Sequence, residues 1–221
     1  MSNPISILST KILLSHQKQA LLNAGFSVTE ANFIKTENSD FDLKGINNNL
    51  IFTSQNAAQS VLLHPKVEEL KSKNVFCVGM KTKALLEENG FMVEVYVDYA
   101  SDLAEIITLI YAKESFTFFS GNLRKETLPK ALKAAQVNFN EIQVYETTLT
   151  PQKIKIPVDG ILFFSPSAIE SYLKDNKIKN EICFCIGETT AEALETITSN
   201  IIVADQPSVD NVIEDVIEEY K

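Results

Sequence analysis

The sequence predicts an α/β fold of parallel sheets covered on both faces, and it predicts that this fold is made twice. Three observations carry the prediction. Short apolar runs alternate with helical patterns along almost the whole chain. The runs are continuously apolar rather than alternating, which is the pattern of a strand buried on both sides. Strand–turn–helix units also recur at a period of about 110, half of the 221 residues.

Taken in order, the runs expected as strands are ISIL at 5–8, LIFT at 50–53, VFCV at 75–78, FTFF at 116–119, GILFF at 160–164 and ICFCI at 182–186. Each is followed by a polar turn and a helical pattern: Gln17–Asn23, Asn56–Leu63, Lys81–Asn89, Arg124–Ala134, Ser167–Leu173 and Glu188–Thr198. FMVEVYV at 91–97 precedes Leu103–Tyr111, and IIVA at 201–204 precedes Val209–Tyr220. Strands alternating with helices in this way mean parallel pairing through crossovers. Two segments differ. VNFNEIQVYETTL at 137–149 and SVTEANFIKTE at 27–37 mix polar and apolar residues, so they are expected as exposed ribbons rather than core strands.

The repeat is visible residue by residue. Phe52, Ser54, Ala57, Ser60 and Leu62 equal Phe163, Ser165, Ala168, Ser171 and Leu173. Phe76, Cys77, Gly79, Thr82, Leu86 and Glu87 equal Phe184, Cys185, Gly187, Thr190, Leu194 and Glu195. ILST at 7–10 aligns more loosely with FFSG at 118–121. Any two such units share an apolar strand and a glycine turn, but three matches in one order point to a duplicated domain.

Composition narrows the function. Hydrophobic residues make up 45% and charged residues 22%, ordinary for a soluble globular protein with a real core. The net charge of −9 argues against a nucleic-acid partner, which wants a basic face. It leaves room for an anionic small molecule, because backbone dipoles act locally. The three cysteines, Cys77, Cys183 and Cys185, lie inside strand-like runs and are expected as buried structural thiols of a reducing compartment. The N-terminal MSNPISILSTKILLSHQKQ lacks the pattern of a signal peptide, and no run reaches the ~20 apolar residues of a membrane span, so the cytoplasm is expected.

Every strand-to-helix turn carries small hydroxyl or amide residues: Ser9-Thr10, Thr53-Ser54-Gln55-Asn56, Thr82, Ser120-Gly121-Asn122, Ser165-Pro166-Ser167 and Thr189-Thr190. In a parallel sheet these turns gather at the carboxyl ends of the strands, where open α/β sheets bind ligands. Ser and Thr there can cap the helix, or cap it and donate to an anion beside the free N–H groups of its first turn. For any single residue capping alone is the commoner role. Signatures for dinucleotide, nucleoside-triphosphate and serine-hydrolase chemistry are missing. His16 and His64 are expected on the surface, and the acids of IEDVIEEYK on a solvated helix face. Tyrosine is one group that could donate a proton at neutral pH, with an unperturbed pKa near ~10.

LIFTSQNAAQSV, VFCVGMKTKALLEENGF, the VYETTL segment around Tyr145, LFFSPSAIESYL and CIGETTAEAL, in this order and spacing, resemble the uroporphyrinogen-III synthase family over essentially the whole chain. The resemblance implies two flavodoxin-like parallel-sheet domains joined by a two-stranded β linker, with the active site in the cleft between them. One domain would be 1–33 with 150–221, the other 38–144, and the linker 34–37 with 145–149. Each domain would then hold one copy of each repeated unit, in circularly permuted order.

The implied reaction cyclises the linear tetrapyrrole hydroxymethylbilane to uroporphyrinogen III. Water is lost and ring D is inverted through a spiro intermediate, with no metal or organic cofactor. The substrate is a polycarboxylate, which suits a rim of helix N-termini. The unassisted reaction closes without inversion, so such an enzyme works by geometry and selective transition-state binding. Tyr145 matches the family's tyrosine at the domain junction and would help the hydroxyl leave; a linker aromatic packing between the ribbons is its plainer role. Ser54, Thr82, Ser165, Ser167, Thr189 and Thr190 match hydroxyl positions that would bind acetate and propionate groups, with Gln55 beside Ser54 and Ser120 in the turn before Arg124. Gly79 and Gly187 would let the backbone approach the ligand. Thr10-Lys11 departs from a Thr-Arg pair common in the family; Lys keeps the charge and loses the bidentate fork. Arg124 is the other basic candidate. The resemblance leads to a soluble monomer that acts on a small molecule, without nucleic acid or membrane. The rivals are a non-catalytic two-domain protein that binds an anion, and a receiver-like or flavin-binding module. Ser9-Thr10-Lys11 lacks the acidic pair that a receiver needs.

Overall fold

A computed structural model describes residues 4–221. The first three residues of the N-terminal segment read above, and of the domain expected to begin at residue 1, lie outside it. In chain order the elements are β1 (Ser6–Ser9), α1 (Ser15–Asn23), β2 (Ser27–Glu30), β3 (Ile34–Asn38), β4 (Asn49–Phe52), α2 (Gln55–Leu62), β5 (Asn74–Val78), α3 (Met80–Glu88), β6 (Met92–Val97) and α4 (Ala100–Ile110). They continue with β7 (Ser115–Gly121), α5 (Thr127–Ala134), β8 (Asn138–Leu149), β9 (Gly160–Phe163), α6 (Pro166–Asp175), β10 (Ile182–Cys185), α7 (Glu188–Ala191), β11 (Ile201–Val203) and α8 (Val209–Glu219).

The chain divides into two units. One is the chain up to Lys35 together with Thr148–Lys221; the other is Thr36–Thr147. In the first unit the strands run β11-β10-β9-β1-β2, all parallel. Numbered by chain position this is the 2-1-3-4-5 order of flavodoxin-like sheets. In the second unit the order is β6-β5-β4-β7-β8, parallel throughout, with β3 added outside β8. The two orders coincide when β9, β10, β11, β1 and β2 are matched to β4, β5, β6, β7 and β8. The sequence repeat is therefore a spatial repeat in circularly permuted order.

The apolar runs are strands because each side chain has a helix to face. Leu50, Phe52, Cys77 and Phe119 point to one face of the second sheet, where Ala57, Ala58 and Val61 of α2 and Leu86 of α3 cover them. Ile51, Phe76, Phe116 and Phe118 point to the other, under Leu103 and Ile107 of α4 and Leu128 and Leu132 of α5. The first sheet repeats this. Leu8, Ile161, Phe163, Cys183 and Cys185 pack under α6 and Leu194. Ile7, Leu162 and Phe184 pack under Leu21 of α1 and Val212, Ile213 and Val216 of α8. Full burial of one such side chain stabilises by roughly 1.5–3 kcal/mol.

Five expectations need correction. Residues 27–30 and 138–149 are not ribbons outside the sheets: β2 pairs with β1 and β8 pairs with β7 in parallel register. They look polar because they run at the margins, where one side is thinly covered. The helix expected over Glu188–Thr198 is α-helical only to Ala191. Beyond it Leu194 and Ile197 donate to carbonyls three residues back, at 2.8 and 2.7 Å, so the segment tightens into turns. The helix expected from Arg124 begins at Thr127. His64 is half-buried beyond α2, its ring 4.8 Å from Phe41, and its Nδ1 accepts the Lys66 N–H. On α8, Asp215 is also half-buried, with one carboxylate oxygen enclosed, and burial raises its pKa.

Phe119 stacks on Phe52 at 5.2 Å and is fully buried. A Phe119→Ala change is expected to cost about 3–5 kcal/mol through lost burial and a cavity, read as a lower urea midpoint.

Candidate functional site

The candidate residues lie at the carboxyl ends of the strands, and each unit is described by its own rim. In the second unit Ser54, two residues past β4, is extended and caps α2: its Oγ accepts the Ala57 N–H at 3.1 Å. The same hydroxyl donates to Tyr145 Oη at 3.2 Å. Gln55 follows as the exposed first residue of α2.

Tyr145 reaches Ser54 through a fault in the ladder. β7 and β8 pair regularly to Ser120 and Gln143, then the register shifts so that Gly121 faces Tyr145. The bulge adds one residue to β8 and turns the next side chain over. Val144 and Tyr145, although adjacent, therefore both pack on the α2 and α3 face of the sheet. The ring lies flat on Gly121, where an added Cβ would sit 2.3 Å from the tyrosine Cζ. Glycine is required there by contact alone.

Gly79 ends β5 with φ of +88°, a left-handed conformation that favours glycine. Its N–H donates to Val97 and its carbonyl accepts the N–H of Thr82 and Lys83. Thr82 is buried, 3.7 Å from where a Gly79 Cβ would be. Gly187 corresponds to Gly79 but is extended, and a Cβ there would meet nothing within 4 Å. The fold does not need glycine at 187.

Ser120 and Arg124 belong to the opposite, α5 side. Ser120 Oγ donates to Glu141 Oε1 at 2.6 Å; Arg124 grips the same carboxylate through Nε at 2.5 Å and Nη2 at 3.0 Å, and also pairs with Glu126. Burial alone would raise the Glu141 pKa, but the bonds from Arg124 and Ser120 prevail and lower it. The bonds to Glu141 and Glu126 in turn raise the pKa of Arg124. The Arg124 fork, a candidate for substrate carboxylates, is filled by the protein's own acids.

In the first unit Ser165 caps α6 and accepts the Ala168 N–H at 3.2 Å, with Pro166 at the first helical position. Its Oγ lies 3.0 Å from that of Ser167. Thr10 is buried: its N–H and its hydroxyl both donate to the Leu162 carbonyl, at 3.2 and 2.7 Å. Lys11 is exposed, its Nζ 5.6 Å from the centre of the Phe164 ring. Thr189 is exposed and Thr190 buried beside Gly187, whose carbonyl accepts the Thr190 N–H at 2.9 Å. The structure thus brings Ser54 to Tyr145 and Ser165 to Ser167, turns Ser120 and Arg124 to the other sheet face, and commits Thr10 to the backbone.

Two residues with clear roles were not among the candidates. Gly121 seats Tyr145, and its signal was a glycine in the Ser120-Gly121-Asn122 turn that follows an apolar run. Glu141 organises Arg124 and Ser120; in the sequence it is one acid in an alternating segment, without a sign of its partners. Among the described residues no group of acids, cysteines and histidines could hold a metal ion, and no helix is long and apolar enough to cross a membrane.

Two parallel sheets of the same spatial strand order, one unit inserted in the other's sequence and each with hydroxyl-bearing turns at its strand ends, define an α/β protein of two duplicated units. Solved structures agree. The uroporphyrinogen-III synthetase of Helicobacter pylori superposes with a TM-score of 0.72 at 20% identity, covering 97% of this chain and 99% of that one. The uroporphyrinogen III synthase of the extreme thermophile Thermus thermophilus superposes with a TM-score of 0.60 at 14% identity over 98% of both chains, and a mutant of it with 0.74 at 12% over 98% and 100%. No curated protein sequence matches the chain. The family model described as Uroporphyrinogen-III synthase HemD matches residues 15–214, and the chain belongs to that family. This match supports the enzyme reading and gives none to a non-catalytic binding protein.

Two outcomes follow from the charges and burial. Cys77, Cys183 and Cys185 are fully buried and burial pushes each thiol up to about 12. A thiol reagent at pH 8 is expected to label none of them in the folded protein and all three after unfolding. Glu141 is lowered from an ordinary value of 4.5, so its stabilisation is present above that pH and is lost as pH falls through the folded pKa. Glu141→Gln should lower the melting temperature modestly at pH 7, and the difference from wild type should close as pH falls below about 4.5.

Proposed function

We propose that Tyr145 is the residue that assists the chemical step, donating to the hydroxyl that leaves hydroxymethylbilane. The reaction is the cyclisation of this linear tetrapyrrole to uroporphyrinogen III, with ring D inverted and water lost. The observation that carries the role of Tyr145 is its seat. A half-buried phenol held on a glycine backbone, its oxygen bonded to a helix-capping serine, is fixed in place before substrate arrives. A fixed donor spends little on reorganisation when charge develops on the departing oxygen.

The two rims are proposed to take the acetate and propionate groups. Ser167, Thr189 and Gln55 offer exposed or half-buried polar side chains beside helix starts, and Lys11 a cation in place of the family's arginine. Ser165, Thr82 and Thr190 shape the turns around them, and Gly187 leaves open space for the ligand to approach the backbone. Thr10 acts by joining β1 to β9. Arg124 with Ser120 can bind a carboxylate only by exchanging it for Glu141 or Glu126. Helix N-termini offer partial positive charge within a chain of net charge −9, so the rims need no basic surface. Loss of water places the enzyme among the lyases. A cytoplasmic monomer without nucleic-acid or membrane partners completes the reading.

The test generates hydroxymethylbilane in situ, oxidises the products and separates the isomers. Isomer III above the no-protein control is expected, and isomer I alone at the spontaneous rate from folded protein would overturn the reading. Tyr145→Phe is expected to lower turnover by about 10²-fold with an unchanged melting temperature.

A further inference from the structure

We propose that Ser54 is a positioning residue which fixes Tyr145 as a hydrogen-bond donor, by passing the polarity of the α2 N-terminus to the phenol oxygen. The inference rests on the reading of Tyr145 above and gives Ser54 a role other than binding a carboxylate.

The argument is one of direction. A serine hydroxyl has one proton and two lone pairs. Ser54 Oγ accepts the Ala57 N–H at 3.1 Å and gives its proton to Tyr145 Oη at 3.2 Å. The phenol oxygen is therefore an acceptor on this side, and its own proton points elsewhere. The Ala57 N–H is one of the free donors of the first turn of α2, where the helix dipole is positive. The bonds from Ala57 to Ser54 and from Ser54 to Tyr145 run the same way, and hydrogen bonds in such a chain strengthen one another. Tyr145 becomes a better donor, and negative charge that develops on its oxygen as it donates is stabilised.

The surroundings keep this alignment. The bulge sets Tyr145 on the α2 side, and Gly121 leaves the ring no slack towards the backbone. The duplicated unit supplies the contrast. Ser165 caps α6 with the same bond, at 3.2 Å to Ala168, but its hydroxyl pairs with Ser167 at 3.0 Å. Capping is shared by both copies; the bond to a tyrosine is given to the second unit alone among these two serines.

The test is steady-state kinetics and isomer analysis of Ser54→Ala, Ser54→Thr, Tyr145→Phe and the Ser54→Ala/Tyr145→Phe double variant, with Ser165→Ala as the thermal control for a lost cap. Expected is a fall of about 10-fold in kcat for Ser54→Ala with KM within about twofold, and substantial recovery in Ser54→Thr. In the Tyr145→Phe background Ser54→Ala should then change kcat no further. Ser54→Ala and Ser165→Ala should lose similar melting temperature. A raised KM at constant kcat, or losses that multiply in the double variant, would overturn the inference and return Ser54 to the substrate-binding set while leaving Tyr145 in its role. Wild-type kcat in Tyr145→Phe would overturn both.

Discussion

The core strands of the two sheets obey one constraint: successive side chains must find cover on opposite faces. Leu50, Ile51 and Phe52 show it in three residues, turning to α2 and α3, then to α4 and α5, then back. Because both faces are used, the core strands pair in parallel, and β1, β4, β5, β7, β9 and β10 are each followed by a covering helix. Because these strands point the same way, their strand-to-helix turns gather at one end of each sheet. The hydroxyl rims and the helix N-termini beside them are a by-product of how the core is covered.

The site departs from this regularity where it needs to. A regular β8 would have sent Tyr145 to the face opposite Val144. One extra residue in the strand keeps it on the side of Ser54 instead. The departure is tolerated because β8 has only the narrow β3 beyond it, so a local fault disturbs few neighbours. On the other face of the same strand Glu141 gathers Ser120 and Arg124 into a charged cluster. The two faces of one strand thus carry two different polar constructions within five residues, and only the first involves a group suited to proton donation.

The strands and the repeat were legible in the sequence because double-sided burial leaves unbroken apolar runs such as Gly160–Phe163, and because caps such as Ser54 and Ser165 repeat at matching places. The turns that form the rims were legible for the same reason. The pairing of Ser27–Glu30 and Asn138–Leu149 was not, since a marginal strand buries little and shows mixed polarity. The shortening of α7 was hidden by a helical pattern in Glu188–Thr198 that tertiary packing of Leu194 overrides. Bonds between residues far apart in the chain, such as Ser54 with Tyr145 or Arg124 with Glu141, leave no local periodicity. The bulge that decides where Tyr145 points depends on register between two strands, which no single strand records.

The insertion of one unit in the sequence of the other has a consequence for how the protein is made. The central strand of the first unit's sheet is β9, with β1 and β2 on one side of it and β10 and β11 on the other. During synthesis β1 and β2 emerge first and have no partner strand to complete their sheet until residue 160 and beyond has left the ribosome. Thr36–Thr147 is by then fully exposed and can fold as a body. The amino-terminal strands must wait, with the apolar Ile7 and Leu8 uncovered, so the first unit closes late and through contacts of high sequence separation. Translation speed and chaperone protection over the first thirty or so residues therefore bear on yield more than they would for two domains encoded one after the other.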